Sequence, residues 1–200
     1  EYEGRGTAAF SPELITPTTK MPDDFVEFWE KAKEDNKKIP MDARLILLPE
    51  KCTKKVNVYE LIIQNYQTGS RIYGILSVPK APGKYPAFLR VPGAGVRPYN
   101  GDIKNAERGF ITLDIGIHGI PVTMAQKVYD NLKAGGMNGY QFNNWDNRDK
   151  VYYKRVYMGC IRAIDYIYSM PEFDGKNLVT YGGSQGGALS IITAALDNRV

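Results

Sequence analysis

The sequence predicts an α/β fold, a mostly parallel sheet with an antiparallel start, and three patterns carry that expectation. Alternating β-rich runs joined by a tight turn fill the first part. Short apolar runs separated by helical ones follow, and near the end an apolar run meets a glycine-rich turn and an apolar helix. With 43% hydrophobic residues in 200, the chain is long enough to bury one core but not two. A single domain is expected over 21–200, preceded by an extended arm over 1–20 that wraps onto it.

The arm is read from three prolines and several threonines between Pro12 and Pro22. A helix is expected to open at Met21-Pro22-Asp23-Asp24, with proline in its first turn, aspartates at the positive end of its dipole, and Phe25, Phe28, Trp29 and Ala32 at helical spacing. Trp29 reads as core. Strand patterns follow at Ala43–Leu48, Asn57–Tyr66 and Arg71–Val78, the last two joined by Thr68-Gly69-Ser70 as a hairpin. Beyond Pro86, the apolar runs Ala87–Val91 and Phe110–Ile115 flank a helix candidate, Ile103–Arg108, which signals parallel βαβ units. The stretch Gly116–Asp149 has little periodicity and reads as a long loop, functional or disordered, rich in asparagine and with Tyr140, Phe142 and Trp145 in it. A helix over Val151–Ser169 places Val156, Cys160, Ala163, Ile164 and Ile167 on one face. A strand, Asn177–Tyr181, a turn, Gly182–Gly187, and a helix, Ala188–Leu196, complete the pattern.

Several function classes fall away on composition. The net charge of +4 is spread along the chain, and the lysines of 31–38 are interleaved with acids as on a solvated helix face, so no nucleic-acid partner is expected. No apolar run is long enough to cross a membrane, and no secretory leader is visible. The first residue is Glu1 within a polar stretch reaching Thr7, which reads as a processed or cut start. The two cysteines, Cys52 and Cys160, form no C-x-x-C pair; neither a metal nor a cofactor is expected.

The chemistry is concentrated in Gly182-Gly183-Ser184-Gln185-Gly186, a G-x-S-x-G match with a strand directly before it and a helix directly after. That context belongs to the nucleophile elbow of an α/β-hydrolase, in which glycines let strand and helix approach and the serine projects above the sheet. A phosphate-cradling loop would need a lysine or the G-x-G-x-x-G spacing, and this turn has neither. With Ser184 as nucleophile, an ester carbonyl develops an oxyanion that needs backbone N–H donors. Gln185 supplies one. The second is expected in the loop after the strand Ala87–Val91, at Ala94 of Pro92-Gly93-Ala94-Gly95, with Gly95 as the alternative.

Gly182–Gly187 resembles the G-G-S-Q-G-G signature of the acetyl xylan esterases and cephalosporin C deacetylases. Met21–Phe25 with Phe28-Trp29 is similar to their first helix, and Tyr152–Tyr157 with Arg162-Ala163 to the helix before their nucleophile strand. The resemblance implies a serine carbohydrate esterase that removes acetyl groups from acetylated sugars, and a plant polysaccharide as substrate would place it outside the cytoplasm. It departs at two places. The family loop H-G-Y is Pro92-Gly93-Ala94 here, and the family's R-G-Q is replaced near His118-Gly119-Ile120.

The expected chain order is serine, acid, histidine. After Ser184 come only Asp197 and no histidine, so the triad Asp and His are expected from a missing C-terminal half, and the chain reads as the N-terminal portion of the fold. His118, the sole histidine, lies past a strand two places from the nucleophile strand, on the order of 10 Å away, and is expected to line the substrate pocket or brace a loop. Tyr140 and Trp145 are expected to bind substrate with it. The partner is then an acetylated saccharide or similar small acetyl ester, and homo-oligomer formation is left open. Two other readings stand beside this one: a prolyl-peptidase-like serine hydrolase, and a carbohydrate-binding relative that has lost its triad.

Overall fold

The computed structural model describes residue 4, residue 6 and residues 8–200, so the polar start Glu1–Thr7 lies largely outside the described residues. Its centre is a six-stranded sheet in the order β1-β2-β3-β5-β4-β6. The strands are β1 (Arg44–Leu47), β2 (Val56–Gln64), β3 (Arg71–Pro79), β4 (Tyr85–Arg90), β5 (Ile111–Gly116) and β6 (Phe173–Tyr181). β1, β2, β3 and β5 pair antiparallel in turn. β4 then runs parallel to both β5 and β6, so the antiparallel start passes into a parallel half as the sequence pattern predicts.

Burial explains the strand patterns. β5 is buried along its whole length, which is why Ile111–Ile115 reads as a continuous apolar run and not an alternating one. Helix α4 (Tyr152–Ser169) packs across the sheet with Val156, Cys160, Ala163, Ile164 and Ile167 all buried, the face expected from its spacing. It lies close because Gly159 has no side chain: a Cβ there would meet Ile72 at 3.0 Å and the Asn65 amide at 3.1 Å. Both cysteines are free thiols.

Helix α1 (Phe25–Lys38) starts later than expected. Pro22 lies in the turn before it, where its carbonyl accepts from Phe25 N–H at 3.1 Å, and Asp24 caps the helix but turns its carboxylate to Arg148. Trp29 packs with Ala32, Met158 and Ile161, as core. Among its described residues the arm before it is not buried: Phe10, Leu14 and Ile15 are exposed, and a 3-10 turn forms at Pro12–Leu14.

Three further boundaries differ from expectation. Gly116–Asp149 is not a plain loop, for it contains α3 (Gln126–Ala134) and a 3-10 turn at Tyr140–Phe142. α3 escaped its periodicity because only Tyr129 is buried, and that residue is held by its hydroxyl, which donates to Pro121 O at 2.7 Å and accepts from Met124 N–H at 3.1 Å. α2 is shorter than expected, Ile103–Ala106, its first turn capped by Asp102. β6 starts at Phe173, four residues early, across an irregularity in which the Asp174 carboxylate accepts the N–H groups of Lys176 and Asn177. On its far side β6 pairs with no strand among the described residues, and Val179 and, on the following helix, Ile191 face outward.

Helix α5 (Gln185–Leu196) begins within the expected glycine turn, at Gln185. It and β6 close on the end of β4 at two glycines. A Cβ on Gly182 would stand 2.4 Å from Val91 O, and one on Gly186 2.5 Å from the same oxygen and 3.0 Å from Pro92 C. Alanine in a first helical turn ordinarily stabilises by up to about 1 kcal/mol over glycine. Here the clash outweighs that gain. Gly186→Ala is expected to destabilise the protein by about 2 kcal/mol or more, read as a melting temperature lowered by roughly 5 °C; an unchanged or higher melting temperature would contradict the close approach.

Candidate active site

Ser184 joins the end of β6 to the first residue of α5 and carries φ +54° and ψ −125°. A non-glycine residue in that region is strained by about 1–3 kcal/mol and persists only where its surroundings hold it. The holding contacts are local. Gly186 N–H donates to Gly183 O and Gly187 N–H to Ser184 O, both at 2.8 Å, while Val91 N–H donates to Tyr181 O at 3.0 Å and ties β4 to the strand below the elbow. Ser184 is exposed, at the carboxyl ends of the parallel strands. Gln185 N–H, the first of the helix, has no acceptor among the described residues, as helix geometry dictates for a first turn.

The loop after β4 is arranged so that its carbonyls are all engaged. Pro92 O accepts from Gln185 Nε2 at 3.2 Å, Gly93 O and Ala94 O from the Arg97 guanidinium at 3.2 and 2.8 Å, and Gly95 O faces His118 Nε2 at 2.9 Å. Side chains thus hold four consecutive carbonyls. Gly95 N–H is itself engaged, donating to the Tyr140 hydroxyl at 3.3 Å. Ala94 N–H has no acceptor among the described residues. Of the two expected donors in this loop, Ala94 is therefore the free one. A cavity of about 230 Å³ lies on one side of the elbow, against Gly93, Gly182 and Gly183, and a groove lined by Ala94, Gln185, Tyr153 and Ile192 lies on the other.

His118 is placed behind the loop and not in the groove. It is 7% exposed, and burial lowers its pKa, so the ring is neutral near pH 7. Gly95 O can only accept; the proton therefore sits on Nε2, and Nδ1 accepts from the Tyr152 hydroxyl at 2.7 Å. Neither nitrogen is free to take a proton from Ser184. β5 and β6 are separated by β4, which keeps the ring the expected two strand spacings away. Of the pocket-lining and loop-bracing roles, the geometry matches bracing.

The aromatics divide. Tyr140 is only 4% exposed, so its ring has no face to offer a sugar; it packs edge-on against His118 with centroids 4.6 Å apart and sends its hydroxyl to Gln185. Trp145 is 64% exposed and pairs edge-to-face with Phe142 at 4.8 Å. Sequence spacing could not separate them, because the burial of Tyr140 depends on a 3-10 turn that folds it beneath the chain.

Residues that the sequence did not single out complete the site. Arg97 has no motif to mark it, and the local chain path turns its guanidinium back onto the carbonyls three and four residues earlier. Asp114 in β5 is 3% exposed, its Oδ2 lies 3.4 Å from Arg90 Nη1, and its Oδ1 has no partner among the described residues. Asp102 accepts from Tyr181 at 2.9 Å. Among the described residues, no group of acids, histidines or cysteines is arranged to hold a metal, and no helix is long and apolar enough to cross a membrane.

A sheet in this order, with an elbow serine after the outermost parallel strand and a free-amide loop after its neighbour, defines an α/β-hydrolase. Within that class the chain belongs to the acetyl xylan esterase family, whose model matches residues 14–200. It is 40% identical to the acetyl esterase Axe7A of Xylanibacter ruminicola across 100% of this chain and 46% of that protein, so it spans about half the length of that curated relative. Two solved structures are similar. An acetyl xylan esterase from Paenibacillus sp. R4 superposes with a TM-score of 0.74 at 29% identity, over 92% of this chain and 58% of that one. Acetyl xylan esterase 1 from Thermoanaerobacterium sp. JW/SL YS485 has a TM-score of 0.75 at 24% identity, over 90% and 56%, and shares the fold.

Burial pushes the Asp114 carboxyl up from 3.8 to about 6, against the opposing Arg90 charge. The folded state thus holds this proton more tightly than the unfolded one. The cost of burying the charge is absent below the unfolded value, grows through that window, and is complete above about 6. Asp114→Asn removes it. The stability of the variant relative to the parent is expected to improve by roughly 1–3 kcal/mol between about pH 4 and pH 7.5, followed by thermal melts across that range. A difference that does not change with pH would contradict the assignment.

Proposed function

We propose that the protein is a serine carbohydrate esterase in which Ser184 attacks the carbonyl carbon of an acetyl ester on a sugar. As the Oγ–C bond forms, a base takes the hydroxyl proton and the carbonyl oxygen becomes an oxyanion facing the N–H groups of Ala94 and Gln185. The sugar oxygen leaves with that proton, and water then releases acetate from the serine. One observation carries this reading: a strained, exposed serine at a strand-to-helix elbow, with the two free amides in the segments that flank it. Family membership supports the acetyl ester as the bond that is cut. The chain holds one histidine, and both of its nitrogens are engaged, so the base and its acid partner are proposed to come from outside these 200 residues. A polymeric plant substrate would place the protein outside the cytoplasm.

The exposed Phe142–Trp145 pair supports a carbohydrate as the leaving group, since an open aromatic face stacks on a sugar ring. Tyr140 and His118 then act behind the surface, on the loop.

Ser184→Ala is expected to lower hydrolysis of p-nitrophenyl acetate by the intact protein on the order of 10³-fold or more, with an unchanged circular dichroism spectrum. Undiminished hydrolysis would refute the nucleophile assignment. Trp145→Ala is expected to reduce turnover of acetylated xylo-oligosaccharides several-fold more than turnover of p-nitrophenyl acetate. Equal losses on both would leave the tryptophan a structural part.

A further inference from the structure

The side chain of Gln185 makes contacts that attack by Ser184 does not itself require. Its Oε1 accepts from two phenol hydroxyls, Tyr140 at 2.9 Å and Tyr153 at 2.8 Å, while its Nε2 donates to Pro92 O at 3.2 Å. The orientation of the amide follows from these partners, because reversing it would set its oxygen against the Pro92 carbonyl, acceptor to acceptor. The Tyr140 oxygen in turn accepts from Gly95 N–H at 3.3 Å. Pro92 and Gly95 bracket Ala94. Through the Gln185 amide and the Tyr140 hydroxyl bound to it, the segment that carries one free amide is tied on both sides to the residue that carries the other.

Nothing in the loop can do this from within. It reads Pro92-Gly93-Ala94-Gly95, with no side chain long enough to anchor itself, and its remaining constraints come from Arg97 and His118, both on carbonyls. The two hydroxyls come from different elements, Tyr140 from the 3-10 turn and Tyr153 from the first turn of α4. Each hydroxyl is aimed at the same oxygen, so neither element can shift without loosening the pair of amides.

We propose that the Gln185 side chain, with the hydroxyls of Tyr140 and Tyr153, is a positioning device that sets the separation of the Ala94 and Gln185 amides and so the rate at which Ser184 is acylated. This rests on the Ser184 reading above. The donors of an oxyanion hole act at about 2.7–3.1 Å from the oxyanion, and a misplacement of about 1 Å in such a constellation costs as much as 10²-fold in rate. The ground-state ester gains little from the same amides. Loosening them therefore lowers kcat and leaves KM in place.

The test uses Tyr140→Phe, Tyr153→Phe and Gln185→Met in the intact protein, with Ser184→Ala beside them. Gln185→Met keeps the backbone amide and removes only the side-chain bonds. Two rates are measured: steady-state hydrolysis of p-nitrophenyl acetate and inactivation by diethyl p-nitrophenyl phosphate, which phosphorylates an activated serine. The expected result is a tenfold or greater fall in kcat for Tyr140→Phe and Gln185→Met with KM within about twofold, a parallel fall in the inactivation rate, and a variant that combines Tyr140→Phe with Gln185→Met no worse than the weaker of the two. Circular dichroism and melting curves confine the comparison to folded protein; should Gln185→Met fail to fold, the two tyrosine variants decide alone. Values of kcat within twofold of the parent in both tyrosine variants would overturn the proposal, as would a loss confined to melting temperature. Activity retained by Ser184→Ala would overturn the nucleophile reading itself, and is seen independently of the other variants.

Discussion

The carbonyl oxygen of Val91 lies only 2.4 and 2.5 Å from where the Cβ atoms of Gly182 and Gly186 would stand, and much of the site follows from that contact. Because nothing fills the space, β6 and the first turn of α5 come down on the end of β4, and the chain between them has to reverse within Gly182–Gly186. Ser184 takes up the reversal with a positive φ, paid for by the hydrogen bonds around it and by the packing of a six-stranded sheet below. The same approach brings the loop after β4 beside the N-terminus of α5. An amide that is free because it begins a helix and an amide that is free because its neighbours are engaged are thereby placed in adjoining segments.

That second freedom has an electrostatic cause. A loop of small residues exposes carbonyl oxygens as readily as N–H groups, and an oxyanion is repelled by the former. Here Gln185, Arg97 and His118 hold the four carbonyls of Pro92 to Gly95, so that the dipoles of the loop are oriented before any substrate arrives. Burial keeps His118 neutral and therefore able both to donate at Nε2 and to accept at Nδ1. Both ring nitrogens are thereby engaged in holding the loop and its neighbour.

The strands and the long helix were legible in the sequence because their signals are local. A period of two marked β2 and β3, a continuous apolar run marked the buried β5, and five residues on one face marked α4. The elbow was legible because glycine spacing reports close approach directly. What escaped depends on single polar contacts, some of them with partners far along the chain. α3 is held by one tyrosine hydroxyl instead of an apolar stripe, and Pro22 precedes α1 because Asp24 turns to Arg148, more than 120 residues away. Tyr140 and Trp145 look alike in composition, yet one is buried against His118 and the other exposed, a difference set by a turn that no periodicity announces. Arg97 and the hydroxyls on Gln185 carry no motif because hydrogen bonding needs geometry and not spacing.

The central claim is that the Ala94 and Gln185 amides converge on the oxygen of a group attached to Ser184. A crystal structure of the intact protein after reaction with a phosphonate ester tests it most directly, since the tetrahedral phosphorus stands in for the acyl carbon at its most charged point. Phosphorus is expected bonded to Ser184 Oγ, with its anionic oxygen about 3 Å from both amide nitrogens. Phosphorus on another residue, or that oxygen turned away from Ala94, would contradict it.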